Sequence, residues 1–169
     1  MSMSQQDTHN NDARNYRQAL SCFATGVTVV STHWQHSDWG MTCNSFASVS
    51  LEPRLVLWSI QNKASSLEAF TQSSGFTVSV LTHVQQDVAK QFATGPMPER
   101  FFQAPVERNS SGRLYVSDAL AHFDCSLHKV IPAGDHYIVI GQVNDFQWTE
   151  APALTYWRSR FGQFDLAAA

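Results

Sequence analysis

The residues best suited to binding a small polar ligand lie in one short segment, residues 40–45. Most of their side chains are small or polar, so a ligand could approach the main chain closely: Gly40, Met41, Thr42, Cys43, Asn44, Ser45. Residues 46–51 then alternate between two faces, which predicts a strand. Pro53 ends that strand because it lacks a donor for the ladder, and residues 55–58 resume as a second strand. A polar loop that leads into a strand pair is a place where a flat ligand with polar edges can lie against main-chain amides.

The cysteines, histidines and glycines argue against other kinds of site. An odd number of cysteines without CxxC spacing disfavours a disulfide framework and a zinc site, and fits a reducing cytoplasm: Cys22, Cys43, Cys125. His33 and His36 are too weakly patterned for a metal site, and no carboxylate or thiol completes a ligand set with His122 and His128. The eight glycines form neither GxGxxG nor GxxxxGK, so no Rossmann or P-loop phosphate cradle is expected.

Length and charge indicate one domain and disfavour two classes of partner. At 169 residues the chain is long enough to bury a substantial single core. The net charge of −3 disfavours nucleic acid and anionic membrane surfaces as partners. No apolar run approaches the roughly 20 residues of a membrane span. Residues 1–13 lack the apolar region of a signal peptide, so we expect a disordered tail over residues 1–14 and a single domain over residues 15–169.

The elements that would position the segment are mostly strands. Helical spacing predicts helices at residues 15–23, 64–70 and 85–92, the first ended by Gly26 and the second begun by a Ser65–Glu68 capping box. Alternating or β-branched runs predict further strands at residues 27–32, 75–81, 114–116, 121–130 and 136–143. Residues 33–40 read as a polar hairpin connection, and residues 99–113 as a covering loop.

Six or seven strands with short helices between them indicate a mainly β fold. Such a pattern predicts a closed antiparallel sheet, a barrel with helical insertions. The chain shows no internal repeat and no domain linker.

Three separated motifs resemble one known family. GVTVVST at residues 26–32, GMTCNSFASVSLEPRLVLW at residues 40–58 and GDHYIVIGQV at residues 134–143 together resemble the flavin reductase family. The similarity runs from about Tyr16 to Phe161. It implies an antiparallel Greek-key split β-barrel of the FMN-binding type, assembled as a homodimer. It also implies that FMN or FAD is reduced by NAD(P)H and that reduced flavin serves a partner monooxygenase.

The resemblance also implies which residues hold the flavin. Met41, Thr42, Cys43, Asn44 and Ser45 match the segment along the isoalloxazine edge, where main-chain amides and a hydroxyl can pair with the ring. The next loop matches the family segment that holds the ribityl chain and phosphate of the flavin: Ser59, Ile60, Gln61, Lys63, Ser65, Ser66. There, a helix start offers unpaired amides and a positive dipole end, and the lysine adds a cation. A polar strand entry and a plain helix cap are the structural alternatives for these two segments.

Four further residues match the family near the nicotinamide or the flavin. His136, in the Gly134-Asp135-His136 motif, matches a position beside the nicotinamide, where it would orient the nucleotide rather than transfer a proton. Arg100, followed by an aromatic residue, could pair with phosphate. Phe92 and Tyr156 fall where aromatic rings pack in the family, although Phe92 could equally be helix core. Asp135 is expected to shape the turn.

The expected function is therefore transfer of hydride from NAD(P)H to FMN or FAD, with the chemistry supplied by the cofactors. Two alternatives remain open. One is a flavin-dependent oxidase on the same barrel, acting on a pyridoxine-phosphate-like substrate, for which no extra basic cluster is evident. The other is a non-enzymatic FMN-binding module that carries electrons or senses redox state.

Overall fold

The structure, a computed structural model, describes residues 3–164, with side chains from residue 12 onward except that of Pro98. Within this part, three α-helices span Met3–Leu20 (α1), Leu67–Gln72 (α2) and Gln86–Ala93 (α3). Two 3-10 helices span His83–Gln85 and Met97–Phe101. No helix in the described part is long and apolar enough to cross a membrane.

Twelve strands form the rest of the secondary structure within residues 3–164. In chain order they are β1 (Thr25–Gly26), β2 (Thr28–Trp34), β3 (Ser37–Cys43), β4 (Ala47–Leu51), β5 (Arg54–Gln61), β6 (Gly75–Val80), β7 (Val106–Arg108), β8 (Leu114–Val116), β9 (Ala121–Ala133), β10 (His136–Trp148), β11 (Leu154–Trp157) and β12 (Arg160–Gln163). The main sheet has the order β3-β2-β6-β9-β10-β5-β4, beside a three-stranded sheet β1-β11-β12 and the pair β7-β8. Every strand pairing is antiparallel.

The main sheet must curl, because its two edge strands are neighbours in the chain. In a flat sheet of this order, β3 and β4 would lie six strand spacings apart, about 29 Å. Only residues 44–46 join Cys43 to Ala47, and four Cα steps span at most about 14 Å. The sheet therefore wraps into a barrel that is split between β3 and β4. The expected mainly β, antiparallel split-barrel fold is confirmed.

Two hydrophobic cores lie on the two faces of this sheet. Val29 and Val30, adjacent on β2, belong to different cores, as the alternation of side chains along a strand requires. One core is centred on Trp58, whose ring contacts Phe70 and Phe76 edge-on at centroid distances of 4.9 and 5.7 Å. The other core packs α3 and β11 against the opposite face of β2.

The first helix and Gly26 differ from the predictions. The helix spans Met3–Leu20, so it includes residues 3–14, which were assigned to the expected tail, and it ends before residue 23. Gly26 does not end the helix but lies in β1, paired with Thr155 of β11. Local sequence patterns cannot reveal this long-range pairing, and for that reason Gly26 was predicted as the end of a helix.

The predicted capping box at Ser65 and Glu68 is wrong. The helix α2 begins at Leu67, with Ser66 at the N-cap position and no side-chain capping bond. Two successive turns precede it, in which the amides of Ala64 and Leu67 donate to the oxygens of Gln61 and Ala64. Before α3, the side-chain oxygen of Gln85 instead accepts a hydrogen bond from the amide of Thr82 at 3.0 Å.

Three stretches predicted as connections contain strands. The hairpin connection is only the two-residue turn at Gln35 and His36, with φ of 48° and 63°, between β2 and β3. Residues 40–43, predicted as a loop, belong to β3. Residues 99–113 include β7, which pairs with β8. The residues after Pro152, for which no element was predicted, form β11 and β12. Short polar strands lack the long apolar alternation on which the predictions relied.

The three thiols differ sharply in exposure, which predicts their reactivity. Cys22 is exposed, whereas Cys43 and Cys125 are buried, and burial raises the pKa of Cys125 to about 12. Because the thiolate is the reactive form, we expect Ellman's reagent to label one thiol rapidly in the native protein and all three in denaturant. Mass spectrometry would locate the label, and rapid labelling of Cys125 would contradict this arrangement.

Candidate functional site

A cleft of about 260 Å³ lies at the split of the barrel, where the connection between β3 and β4 faces the end of β5 and the start of β10. This volume is slightly below the usual range for ligand pockets, which is roughly 300–1,000 Å³. The residues that line the cleft come from three separate stretches of the chain: Met41, Thr42, Cys43, Asn44, Ser45, Ser59, Gln61, Ala64, His136. Eight of these nine were predicted as site residues, and the fold brings them together.

The outer edge of β3 carries main-chain groups suited to a flat polar ligand. β3 is an edge strand, so every second residue directs its amide and carbonyl away from β2. At Gly40 both groups are used, the amide donating to Met97 Sδ at 3.3 Å and the carbonyl accepting from Arg100 Nη1 at 3.0 Å. Thr42 is two residues further along β3, so its main-chain amide and carbonyl also point outward from this edge, and there they face the cleft.

The hydroxyls near the cleft hold the protein itself together. Thr42 Oγ1 donates to the main-chain oxygen of Ala89 in α3 at 2.5 Å. Ser45 Oγ accepts from the amide of Ser59 at 2.9 Å and lies 3.1 Å from Cys43 Sγ. Ser45 therefore bridges the connection from β3 to β5 across the split. Because these hydroxyl groups already have partners within the protein, main-chain groups are the more available ones for binding a ligand.

The loop over residues 62–66 combines unpaired amides with a cation. The amide of Asn62 donates to the oxygen of Asp135 at 3.0 Å, which ties the loop to the β9–β10 turn. Within the described part of the chain, the amides of Lys63, Ser65 and Ser66 have no hydrogen-bond partner. Lys63 and Ser65 are exposed, whereas Ser66 is buried with its Oγ 3.9 Å from Met41 Sδ. Three free donors and an ammonium group suit an anion.

His136 lines the cleft and is oriented by its neighbour. Its Nδ1 lies 2.7 Å from Asp135 Oδ1. The hydrogen bond from His136 holds the pKa of Asp135 below its usual range, and the charge of Lys63 adds to this effect. An ionised carboxylate can only accept, so Nδ1 carries the proton and Nε2 is the free nitrogen. The bond persists above the ordinary aspartate pKa of about 3.9 and is lost as the pH falls through the lowered value.

Seven predicted site residues do not line this cleft directly. Three of them lie in the loop over residues 62–66: Lys63, Ser65, Ser66. The other four lie elsewhere. Ile60 and Phe92 are buried in the two cores, and the ring of Phe92 packs edge-on against Phe101 at 5.1 Å. Arg100 binds the Gly40 carbonyl on the outer edge of β3, and Phe92 packs against Gly40, so both support this strand beside the cleft. Tyr156 lines an adjoining groove that shares Asn44 and Ser45 with the cleft.

Ala64 is the one cleft residue that the sequence analysis did not select. Its methyl group carries no polar signal, and its place in the cleft follows from the turn that begins at Gln61. Its position between Lys63 and Ser65 was the only available clue.

Comparison with known proteins supports the fold and adds the family. Residues 20–165 match the family model described as "Flavin reductase like domain". The chain is 38% identical over 152 residues, 89% of its length, to the reductase component of a flavin-dependent trigonelline monooxygenase from Acinetobacter baylyi. It is 36% identical over 153 residues, 90% of its length, to the FMN reductase (NADH) SmoA from Agrobacterium fabrum. The chain spans about half (49%) of the Acinetobacter relative and 87% of SmoA.

A solved structure gives the same result in three dimensions. The NADH:FAD oxidoreductase SgcE6 of Streptomyces globisporus C-1027, in complex with NAD and FAD fragments, superposes with a TM-score of 0.89 at 32% identity. The superposition covers 94% of this chain and 96% of that one. The chain therefore belongs to the flavin reductase family.

Proposed function

We propose that this chain is an NAD(P)H-dependent flavin reductase that transfers hydride from a reduced nicotinamide to FMN or FAD. The observation that carries the proposal is the cleft at the split. It brings the β3 edge and His136 into one site together with Ala64, which belongs to the loop at residues 62–66. These are the segments that the resemblance to flavin reductases associates with the ring, the phosphate and the nicotinamide.

The donors and acceptors of the cleft fit a flavin. A flavin ring presents one N–H donor and several acceptors along its polar edge, and the outward amide and carbonyl of Thr42 offer the complementary pair. The free amides of Lys63, Ser65 and Ser66, with the ammonium group of Lys63, suit a phosphate. A bound flavin would supply the hydride acceptor, which no side chain of the protein can provide.

The protein then contributes position and charge. Main-chain groups of β3 would bind the polar edge of the ring, and the bond from Thr42 to Ala89 ties this strand to α3. The same amide at the ring edge favours negative charge that develops on it during reduction. His136, oriented by Asp135, places a fixed nitrogen at the mouth of the cleft, where it would orient the nicotinamide nucleotide.

Replacement of His136 by alanine tests this positioning role. We expect KM for the nicotinamide nucleotide to rise roughly tenfold, with a smaller change in kcat, because one positioned hydrogen bond is lost. Steady-state kinetics at saturating flavin would measure both constants. His128→Ala is the matched control, because His128 is exposed on β9 outside the cleft. An unchanged KM would remove His136 from the nucleotide site.

A steady-state assay with the purified protein tests the function as a whole. Oxidation of NADH or NADPH would be followed with added FMN, FAD or riboflavin, and flavin binding would be measured separately by fluorescence. Turnover with at least one pair of substrates is expected. Flavin binding without turnover would favour the electron-transfer or sensing module, and neither binding nor turnover would end the enzymatic proposal.

The proposed setting is a cytoplasmic homodimer that supplies reduced flavin to a partner monooxygenase. The relative from Acinetobacter, described as the reductase component of a monooxygenase, supports such a partner. Three free cysteines support the cytoplasm. Large apolar side chains left exposed on the strands support a second copy as their cover: Val49, Leu51, Phe146, Trp148. Light scattering would give the mass of the assembly, and a monomeric mass would contradict the dimer.

A further inference from the structure

A second pocket, distinct from the cleft, collects positive charge. It has a volume of about 460 Å³ and lies between the C-terminal part of α1 and the turn that joins β11 to β12. Three arginines line it, together with neutral polar side chains and one thiol: Arg14, Arg17, Gln18, Ser21, Cys22, Arg158, Ser159. No acidic residue contributes to this lining, although acidic residues outnumber basic ones in the chain, 14 to 11.

Specific contacts hold the turn against the helix. The amide of Arg158 donates to the oxygen of Ser21 at 3.1 Å, and Trp157 Nε1 donates to the oxygen of Cys22 at 3.1 Å. Arg158 and Ser159 have φ of 47° and 62°, a left-handed conformation that is costly for residues other than glycine. The fold thus keeps an arginine at a turn position where glycine would be less strained. The guanidinium group also lies over the Trp157 ring, 4.7 Å from its centroid.

The charge of the pocket exceeds what local structure needs. A helix C-terminus carries a partial charge of about −0.5, which one nearby arginine already offsets. Among the side chains that the structure describes, none forms an ion pair with Arg14, Arg17 or Arg158. Three guanidinium groups around one cavity repel each other, and an anion placed between them would relieve that repulsion.

A groove connects this pocket to the cleft. Arg17, Ser21, Arg158 and Ser159 line both the arginine pocket and the adjoining groove. The same groove is lined at its other end by Asn44 and Ser45, which also line the cleft. A ligand longer than a single ring system can therefore extend from the cleft, past Tyr156, into the arginine pocket.

From this continuity we infer that the arginine pocket binds the phosphate groups of the adenosine part of a dinucleotide whose redox-active ring lies in the cleft. The inference rests on the proposed function. FAD and NAD(P)H both carry this chemistry, a pyrophosphate that bridges the reactive half to adenosine. Arginine forks suit such phosphates, because each can donate two parallel hydrogen bonds. The volume is within the usual range for small-ligand pockets.

The pocket can be tested without turnover by using ADP as the probe. Isothermal titration calorimetry would compare the wild type with a double variant, Arg17→Gln and Arg158→Gln. Both side chains are exposed, so their loss leaves the cores intact. We expect ADP binding to weaken by at least about tenfold, since each charge-assisted bond that is lost weakens affinity by that order. Arg160→Gln is the matched control, because Arg160 is exposed on the same hairpin and does not line the pocket.

Pairs of intact and truncated ligands would identify the source of the adenosine part. If it belongs to FAD, the Kd of the double variant rises for FAD and not for FMN. If it belongs to the nicotinamide nucleotide, KM rises for NADH or NADPH and not for the reduced nicotinamide mononucleotide. An increase that is confined to ligands with the adenosine part supports the inference in either case.

Three outcomes would overturn the inference. They are absence of ADP binding to the wild type, equal ADP binding by wild type and double variant, and weakened ADP binding without any change for FAD, NADH or NADPH. The proposed function fails separately, if the wild type oxidises neither NADH nor NADPH with FMN, FAD or riboflavin. The calorimetric result is unaffected by that failure.

Discussion

Replacement of Gly75 by alanine is expected to lower the free energy of unfolding by about 3 kcal/mol or more. A Cβ atom at this position would lie 2.1 Å from the main-chain oxygen of Cys125. Gly75 begins β6 and pairs with Ser126 of β9, in the middle of the seven-stranded sheet. Because the obstacle is main chain and not a flexible side chain, the two strands would have to separate locally to admit a methyl group.

Gly26→Ala is the matched control for this prediction. Gly26 also lies in a strand, but a Cβ atom there would meet no heavy atom within 4 Å. Urea unfolding followed by tryptophan fluorescence would give the free energy of each variant. Similar stabilities for the two variants would show that β6 and β9 can move apart at little cost, contrary to the close approach at Gly75.

Part of the fold could be predicted because its residues carry a strong local pattern. β6 and the helix at Gln86–Ala93 were predicted within one residue at each end, since their apolar residues recur with the right period. β3 was mistaken for a loop. Its polar residues suggested exposure to solvent. In the structure the Thr42 hydroxyl donates to Ala89 in α3, and Gly40 is buried so tightly against Phe92 and Phe101 that a Cβ atom would not fit.

The candidate site was accessible to sequence reasoning for a different reason. The roles of residues 41–45 and His136 were assigned through motifs that resemble a family, and no periodicity in the chain relates these segments. Their meeting depends on the curl of the sheet, which brings the β3–β4 connection beside β5 and β10. Phe92 was selected by the same resemblance, yet its ring is fully buried. A motif match cannot distinguish a residue that faces a ligand from one that supports the strand behind it.

The arginine pocket had no such motif. Arg17 and Arg158 are 141 positions apart, and they are brought together by the pairing of β1 with β11 and by bonds from the β11–β12 turn to Ser21 and Cys22. Each arginine alone reads as an ordinary surface residue. A charge cluster that is assembled by long-range contacts therefore cannot be predicted from a single sequence.

Replacement of Lys63 by glutamate is expected to raise the Kd for FMN by roughly 10- to 100-fold and to leave the Kd for riboflavin nearly unchanged. The ammonium group stands in a loop whose amides at Lys63, Ser65 and Ser66 are free to bind phosphate. A carboxylate at this position would replace attraction by repulsion toward a dianionic phosphate. Riboflavin carries the same ring and ribityl chain without the phosphate, so it reports on the remainder of the site.

The comparison of these two ligands separates a phosphate contact from a general disturbance of the cleft. Lys129→Glu is the matched control, since it makes the same change of charge at an exposed position on β9. Fluorescence titrations at low and high salt would measure the four dissociation constants of the two variants. The effect on FMN should shrink as salt screens the exposed charge. If Lys63→Glu weakened the binding of riboflavin as much as that of FMN, then Lys63 would act on the ring or on the conformation of the loop. The phosphate would then have to lie elsewhere.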